Sequence, residues 1–304
     1  RFGNNNAART LTVRGNLTID GGGTLNVNTA SNTTHSLVMN GIAGTGDIVN
    51  SGTFNLATDA NSLCNVTFSR NGNQTVSGAG AYTFNRITLN MGATRANILD
   101  MQSNFTEPAN FLTITNGTYK HSNTSAITPW TAAVTIPANG GFWLNGGSAT
   151  SGNFNVSVTG LFRISAGAMT VGTANTNRLL LNNAAAALIQ IDGGALTVTG
   201  GINSSSTTGA GTFTMSGGTI LLHNVSAGAI ESFMLGSATT LNWSGGTITC
   251  QIGNNAADDV NIRSVTQNVT GGTLQFGNAS TSGANPYLLT NTTGGAVNVW
   301  NLIL

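Results

Sequence analysis

A glycine-anchored motif of alternating apolar and polar residues recurs along the chain and limits what it can fold into. The motif is clearest in four consecutive copies, FRISAGAMTV, IQIDGGALTV, FTMSGGTILL and LNWSGGTITC. An apolar period of two residues is that of a β-strand, and glycine, asparagine, threonine and serine are poor helix formers. Each copy therefore predicts a strand, a bend and a second strand.

The four copies also predict which side chains form the core. Counted from the last glycine of each turn, positions −5, −3, +2 and +4 are apolar and should point inwards, because alternate strand residues share a face. The predicted inward residues are Phe162, Ile164, Met169, Val171, Ile189, Ile191, Leu196, Val198, Phe213, Met215, Ile220, Leu222, Leu241, Trp243, Ile248 and Cys250.

Seven looser copies bring the number of glycine anchors to eleven, at intervals of 23 to 29 residues except for one of 37. The anchors are Gly23, Gly52, Gly80, Gly117, Gly141, Gly167, Gly194, Gly218, Gly246, Gly272 and Gly295. Strand repeats of this length are typical of a solenoid, in which each coil pairs with the next. We predict an all-β, parallel β-helix (β-solenoid) of about 11–12 coils with roughly 23–29 residues each, right-handed like most parallel crossovers.

The predicted domain organisation is a single β-solenoid over residues 1–304. The chain begins without methionine and ends within the repeat pattern, so we interpret it as a piece of a longer polypeptide. The interval of 37 residues lies between Gly80 and Gly117 and holds the most charged stretch of the chain. We expect residues 91–111 to form an insertion loop, or an extra strand on one coil.

Recognition is the alternative role for this interval, because binding residues concentrate in loops. The candidate recognition residues are Arg95, Asp100 and Glu107, together with Trp130 from the proline-containing stretch 121–143. Trp143 follows Gly141 at an inward offset, so we expect it to fill the core.

The charge content excludes several partners. Only 6% of residues are charged, whereas a typical soluble domain has about 25%. The net charge is +1 and the basic residues form no stripe, which argues against binding to nucleic acid or to an anionic membrane. No apolar run is long enough to insert into a membrane.

The acidic residues and histidines, which could support catalysis in other proteins, are scattered along this sequence. Asp258 and Asp259 are the only adjacent acids, and neighbouring strand residues face opposite sides of a sheet. The three histidines lie in unrelated segments without metal-ligand spacing. We therefore predict no catalytic residue, no metal and no cofactor, and that the protein is not an enzyme. Cys64 and Cys250 alternate with apolar residues and are predicted to be small buried side chains.

The stretch NGNQTVSGAGAYTFNRITLN and the turns SGGTI, TGGTL and DGGAL resemble the repetitive β-helical regions of large secreted surface proteins and adhesins. They resemble in particular those of Bacteroidota, which are commonly exported by the type IX secretion system. The resemblance implies an extracellular or cell-surface location and contact with secretion machinery during export. It transfers no functional residue.

Together these features predict a non-enzymatic structural or adhesive module, a rigid stalk with loops for recognition of surface glycans or of other copies of itself. One alternative is a polysaccharide-binding or polysaccharide-degrading β-helix, which would require carboxylates and aromatic residues from separate coils in one groove. The presence of Asp258, Asp259, Arg263 and Glu231 on one face would favour it. Another alternative is a self-assembling filament or sheath subunit, because the ends of a solenoid expose unpaired strand edges.

Overall fold

The computed structural model describes residues 7–29, 32–42, 44–223, 230–253, 259–281 and 286–304. All regular elements in these ranges are β-strands, and none of the described residues forms a helix that could span a membrane. The chain divides into two compact units, Arg1–Pro129 with Asn139–Gly147 and Trp130–Ala138 with Ser148–Leu304. Counted together, the two units contain about 11 turns of parallel β-solenoid, which confirms the predicted fold class. That residues 1–304 form one continuous domain stays a prediction.

Unit 1 builds its coils from three parallel faces. Face A contains β1 (Thr10–Val13), β4 (Thr34–Met39), β7 (Leu63–Phe68), β10 (Arg86–Asn90) and the first half of β12 (Leu112–His121). Face B contains β2 (Leu17–Ile19), β5 (Ile48–Asn50), β8 (Gln74–Ser77), β11 (Ile98–Met101), the second half of β12 and the first part of β15 (Gly140–Thr150). Face C contains β3 (Thr24–Asn26), β6 (Thr53–Asn55) and β9 (Ala81–Thr83), and the short β13 (Ala126–Ile127) follows β12.

Unit 2 also has three parallel faces. Face D contains β14 (Val134–Ile136), β16 (Val156–Val158), β18 (Leu179–Leu181), β21 (Ile202–Ser204), β24 (Phe233–Leu235), β26 (Val260–Ile262) and β28 (Leu289–Thr290). Face E contains β19 (Leu188–Ile191), β22 (Gly211–Met215) and the first halves of β17 (Leu161–Val171), β25 (Thr239–Cys250) and β27 (Thr266–Phe276). Face F contains β20 (Ala195–Val198), β23 (Thr219–Leu222), β29 (Asn301–Ile303) and the second halves of β17, β25 and β27.

The core of unit 2 consists of columns of apolar side chains, one from each coil. Leu196 pairs with Met169 in the preceding coil and with Ile220 in the following one. All the inward residues predicted from the four clear repeats are at most 1% exposed. The predicted inward offsets are therefore confirmed for these copies, and burying each large apolar side chain stabilises the coil by about 1.5–3 kcal/mol.

The corner between faces E and F requires glycine. Gly194 and Gly218 have φ angles of 68° and 75°, in the left-handed region that glycine tolerates best. A Cβ atom on Gly218 would lie 2.7 Å from the backbone oxygen of Gly194 in the preceding coil. Because the coils stack at this corner without room for a side chain, the glycine anchor recurs in each copy.

The copy anchored at Gly141 is out of register by one residue. Gly117 pairs with Gly140, so Phe142 and Leu144 point inwards and are fully buried. Trp143 therefore points outwards and is half-buried, and the expectation that it fills the core is wrong. A shift of one residue reverses the face of every side chain in a strand.

The interval of 37 residues contains a coil of ordinary length. Gly80 lies between faces B and C, whereas Gly117 lies between faces A and B, so the two anchors mark different corners. Within residues 91–111, β11 pairs with β8 on one side and with β12 on the other, and Thr106 continues face C beyond Thr83. This stretch is accordingly part of a regular coil and not an insertion.

Candidate functional site

The four predicted recognition residues have different surroundings. Asp100 lies on β11 and points outwards, and Arg95 is half-buried in the turn before β11, where its carbonyl accepts a 2.6 Å hydrogen bond from Thr118 Oγ1. Glu107 is half-buried beyond face C. Trp130 belongs to unit 2 and is only 3% exposed, so its side chain offers little surface to a ligand.

Asp100 belongs to a row of outward side chains that crosses face B. Thr75, Asp100, Lys120 and Trp143 occupy matching positions on β8, β11, β12 and β15. Lys120 Nζ lies 3.0 Å from Asp100 Oδ2 and 4.6 Å from the centroid of the Trp143 ring. We call these four residues the platform. Its ion pair and cation–π contact fix the orientation of the half-buried indole.

A second outward row lies two residues further along the same strands. Gln102 Nε2 donates to Asp100 Oδ2 at 3.3 Å, and Asn145 Nδ2 donates to Ser122 Oγ at 3.2 Å. These amide and hydroxyl groups connect the platform with the corner between faces B and C.

A groove with a cavity volume of about 410 Å³ lies at this corner. Residues 78–80, 102–104 and 122–124 line it, and none of them is charged. Its walls are fixed by internal hydrogen bonds: Ser103 Oγ donates to the carbonyl of Gly78 at 2.6 Å, and Thr124 Oγ1 donates to Asn104 Oδ1 at 3.0 Å. We call this cavity the corner groove; its volume is within the range of small-ligand sites.

Glu107 lines a different groove of unit 1, also of about 410 Å³, together with Asp59 and the apolar residues Leu63, Phe84 and Pro108. Burial raises the pKa of Glu107 to about 7, although a backbone N–H from Thr128 opposes this shift. The pKa of Asp59 is lowered, because its carboxylate accepts backbone hydrogen bonds within its own turn. Glu107 can therefore exchange a proton near neutral pH.

Among the described carboxylates that the polysaccharide-degrading alternative names, Asp259 is buried and Glu231 pairs with Arg263. Asp259 is fully buried and accepts a 2.8 Å hydrogen bond from the N–H of Leu288. Arg263 and Glu231 form an ion pair at 3.7 Å, and Asp258 lies outside the described residues. Among the described residues no cluster of histidine, cysteine or acidic side chains could hold a metal ion.

The sequence interpretation missed Trp143 and the corner groove. In the sequence Lys120 lies at an outward offset from Gly117. Aligning Gly117 with Gly140 would have placed Trp143 next to Lys120 in the outward row. The adjacent glycines of the GGFW stretch left the register ambiguous. Without the coil pairing, either glycine could serve as the anchor.

Comparison of the chain with protein-family models, curated proteins and solved structures finds no match.

Proposed function

We propose that the chain is a non-enzymatic structural and adhesive module of an extracellular or cell-surface protein. The observation that most supports this proposal is the platform with its adjoining corner groove, an outward surface of fixed polar groups around a half-buried indole. Such a surface suits adhesion to surface glycans, since sugar hydroxyl groups need both donors and acceptors.

The proposed structural role is supported by contacts that repeat between coils. Apolar columns run through each unit, and amide side chains add outward ladders: Asn116 Nδ2 donates to Asn90 Oδ1 at 3.0 Å, and Asn268 Nδ2 donates to Asn242 Oδ1 at 2.8 Å. Because these contacts are uncharged, the stack should be insensitive to salt.

The proposed location and export are supported by the resemblance to secreted Bacteroidota surface proteins and by the low charge content. We accordingly propose an adhesin segment that meets the type IX secretion machinery during export and acts outside the cell. Its proposed partners are surface glycans and other copies of itself. Asp59 and Glu107 have no catalytic role in the proposed function.

The test is an adhesion assay that also detects turnover. Beads coated with the purified chain are washed over surfaces bearing different polysaccharides, and the release of reducing sugar ends is followed over time. We expect beads to be retained on some surfaces without release of reducing ends. Retention on no surface would contradict the adhesive role, whereas release that grows with time would favour the polysaccharide-degrading alternative.

A further inference from the structure

We infer that the platform and the corner groove form one binding site for a neutral pyranose glycan, with a sugar ring against Trp143 and the adjoining sugar units in the groove. The inference rests on the proposed adhesive function and adds to it a ligand class and a location in unit 1.

The indole of Trp143 supplies the apolar part of the site. It lies on the outer surface of face B, half-buried, with Lys120 Nζ over its ring at 4.6 Å. The exposed part of an indole can pack against the C–H surface of a sugar ring. The cation–π contact fixes the ring before a ligand arrives, which reduces the entropy lost on binding.

The charge distribution favours a neutral ligand. The Lys120 ammonium is neutralised by Asp100 at 3.0 Å, and the lining of the corner groove carries no charged side chain. An acidic glycan would meet the Asp100 carboxylate without an additional cation in the groove, and a cationic ligand would meet Lys120. The uncharged hydroxyl groups of a neutral glycan are repelled by neither Asp100 nor Lys120.

The hydrogen-bonding groups of the site match a polyhydroxylated ligand. Gln102, Asn104 and Thr124 offer amide and hydroxyl groups that act both as donors and as acceptors.

The platform and the groove are contiguous, so the site extends over more than one sugar. Gln102 and Ser122 line the groove, and Gln102 also bonds to Asp100 of the platform. Adjacent coils are separated by about 4.8 Å, a spacing similar to the length of one pyranose unit. The expected ligand is therefore an oligosaccharide that runs across the coils, and a single sugar should bind more weakly.

The experiment compares neutral oligosaccharides, namely gluco- and manno-oligosaccharides, with polygalacturonate and alginate fragments in calorimetric titrations of the whole chain. We expect measurable binding to neutral oligosaccharides alone. Trp143→Ala should weaken this binding by about tenfold or more, as does truncation of an aromatic anchor. The matched control is Trp300→Ala, which removes an indole that is 62% exposed and outside the site, and should leave binding unchanged.

Two further variants keep the test decisive if Trp143→Ala does not fold. Trp143→Phe retains an aromatic ring and should bind with intermediate affinity, and Gln102→Arg, at an exposed position, should block the groove without changing the thermal midpoint. Binding of acidic fragments only, or neutral binding that survives both Trp143→Ala and Gln102→Arg, would overturn the inference and leave the adhesive role standing. If the unmodified chain neither binds any of the glycans nor adheres to any surface, both the inference and the proposed adhesive role are wrong.

Discussion

Replacing Gly218 by alanine separates two reasons for the glycine corner of unit 2. Gly218 has a φ of 75°, and a Cβ atom there would lie 2.7 Å from the carbonyl groups of Gly193 and Gly194 in the preceding coil. Gly152 is the matched control: its φ is 65°, but the nearest atom to an added Cβ is 4.0 Å away. Both variants impose left-handed strain, and only Gly218→Ala adds a clash between coils.

The expected difference follows from these two effects. Left-handed alanine costs about 1–2 kcal/mol, and the lower entropy of the unfolded chain offsets about 0.4–1 kcal/mol of this. Gly152→Ala should therefore destabilise unit 2 by about 0–1.6 kcal/mol. The clash at Gly218 involves backbone atoms that cannot rotate away, so the forced shift should add about 1–3 kcal/mol.

The measurement is urea unfolding of both variants and of the unmodified chain, followed by circular dichroism and by tryptophan fluorescence. Two probes are needed because repeat proteins can unfold in stages. We expect the same slope and a lower midpoint for Gly218→Ala than for Gly152→Ala. Equal midpoints would refute the reasoning, since the close approach of the coils would then contribute nothing beyond the backbone strain.

The remaining predictions concern titration, thiol reactivity and association. The pKa of Glu107 is raised from 4.5 to about 7, so its ionisation should lower the stability of the folded chain as the pH rises between these values. Glu107→Gln should therefore reduce the change of the thermal midpoint between pH 4.5 and 7. Cys64 and Cys250 are free and buried, and burial raises the pKa of both thiols, that of Cys64 to about 12. Neither should react with a thiol reagent until the chain unfolds, and fast reaction in the native state would contradict their placement. Leu302 on β29, which pairs with β27, is 46% exposed. Leu302→Lys should therefore reduce any concentration-dependent association of this chain seen by light scattering, and an unchanged mass distribution would exclude Leu302 as the contact.

The repeats with a single reading of the register allowed the core to be predicted residue by residue. In LNWSGGTITC the alternation on both sides of Gly246 admits only one inward set, and Leu241, Trp243, Ile248 and Cys250 are all buried. The hydrophobic pattern and the conformational demand on the glycine indicate the same register there. Agreement between these two local signals is what made the prediction reliable.

The corners were harder to predict, because three faces per coil create several corners at which glycine is favoured. Gly80 and Gly117 belong to different corners, and the corner that follows Gly80 by one coil has Ser103 and Asn104 in place of glycine. Side-chain and backbone hydrogen bonds meet the needs of that turn, since Ser103 Oγ bonds to the carbonyl of Gly78. A count of residues between glycines therefore overstated the length of one coil.

The candidate site depended on the ambiguity of a single residue. Gly140 and Gly141 both fit the position of the glycine anchor, and the pairing of Gly140 with Gly117 places the neighbours of Trp143 in the core. Phe142 and Leu144 compete with Trp143 for the interior, and two large apolar side chains bury more area than one, which favours the observed register. That comparison was accessible from the sequence. The position of Asp100 beside Lys120 was not, because none of the eleven glycine anchors lies in the segment that contains Asp100, and only the pairing between coils sets its register.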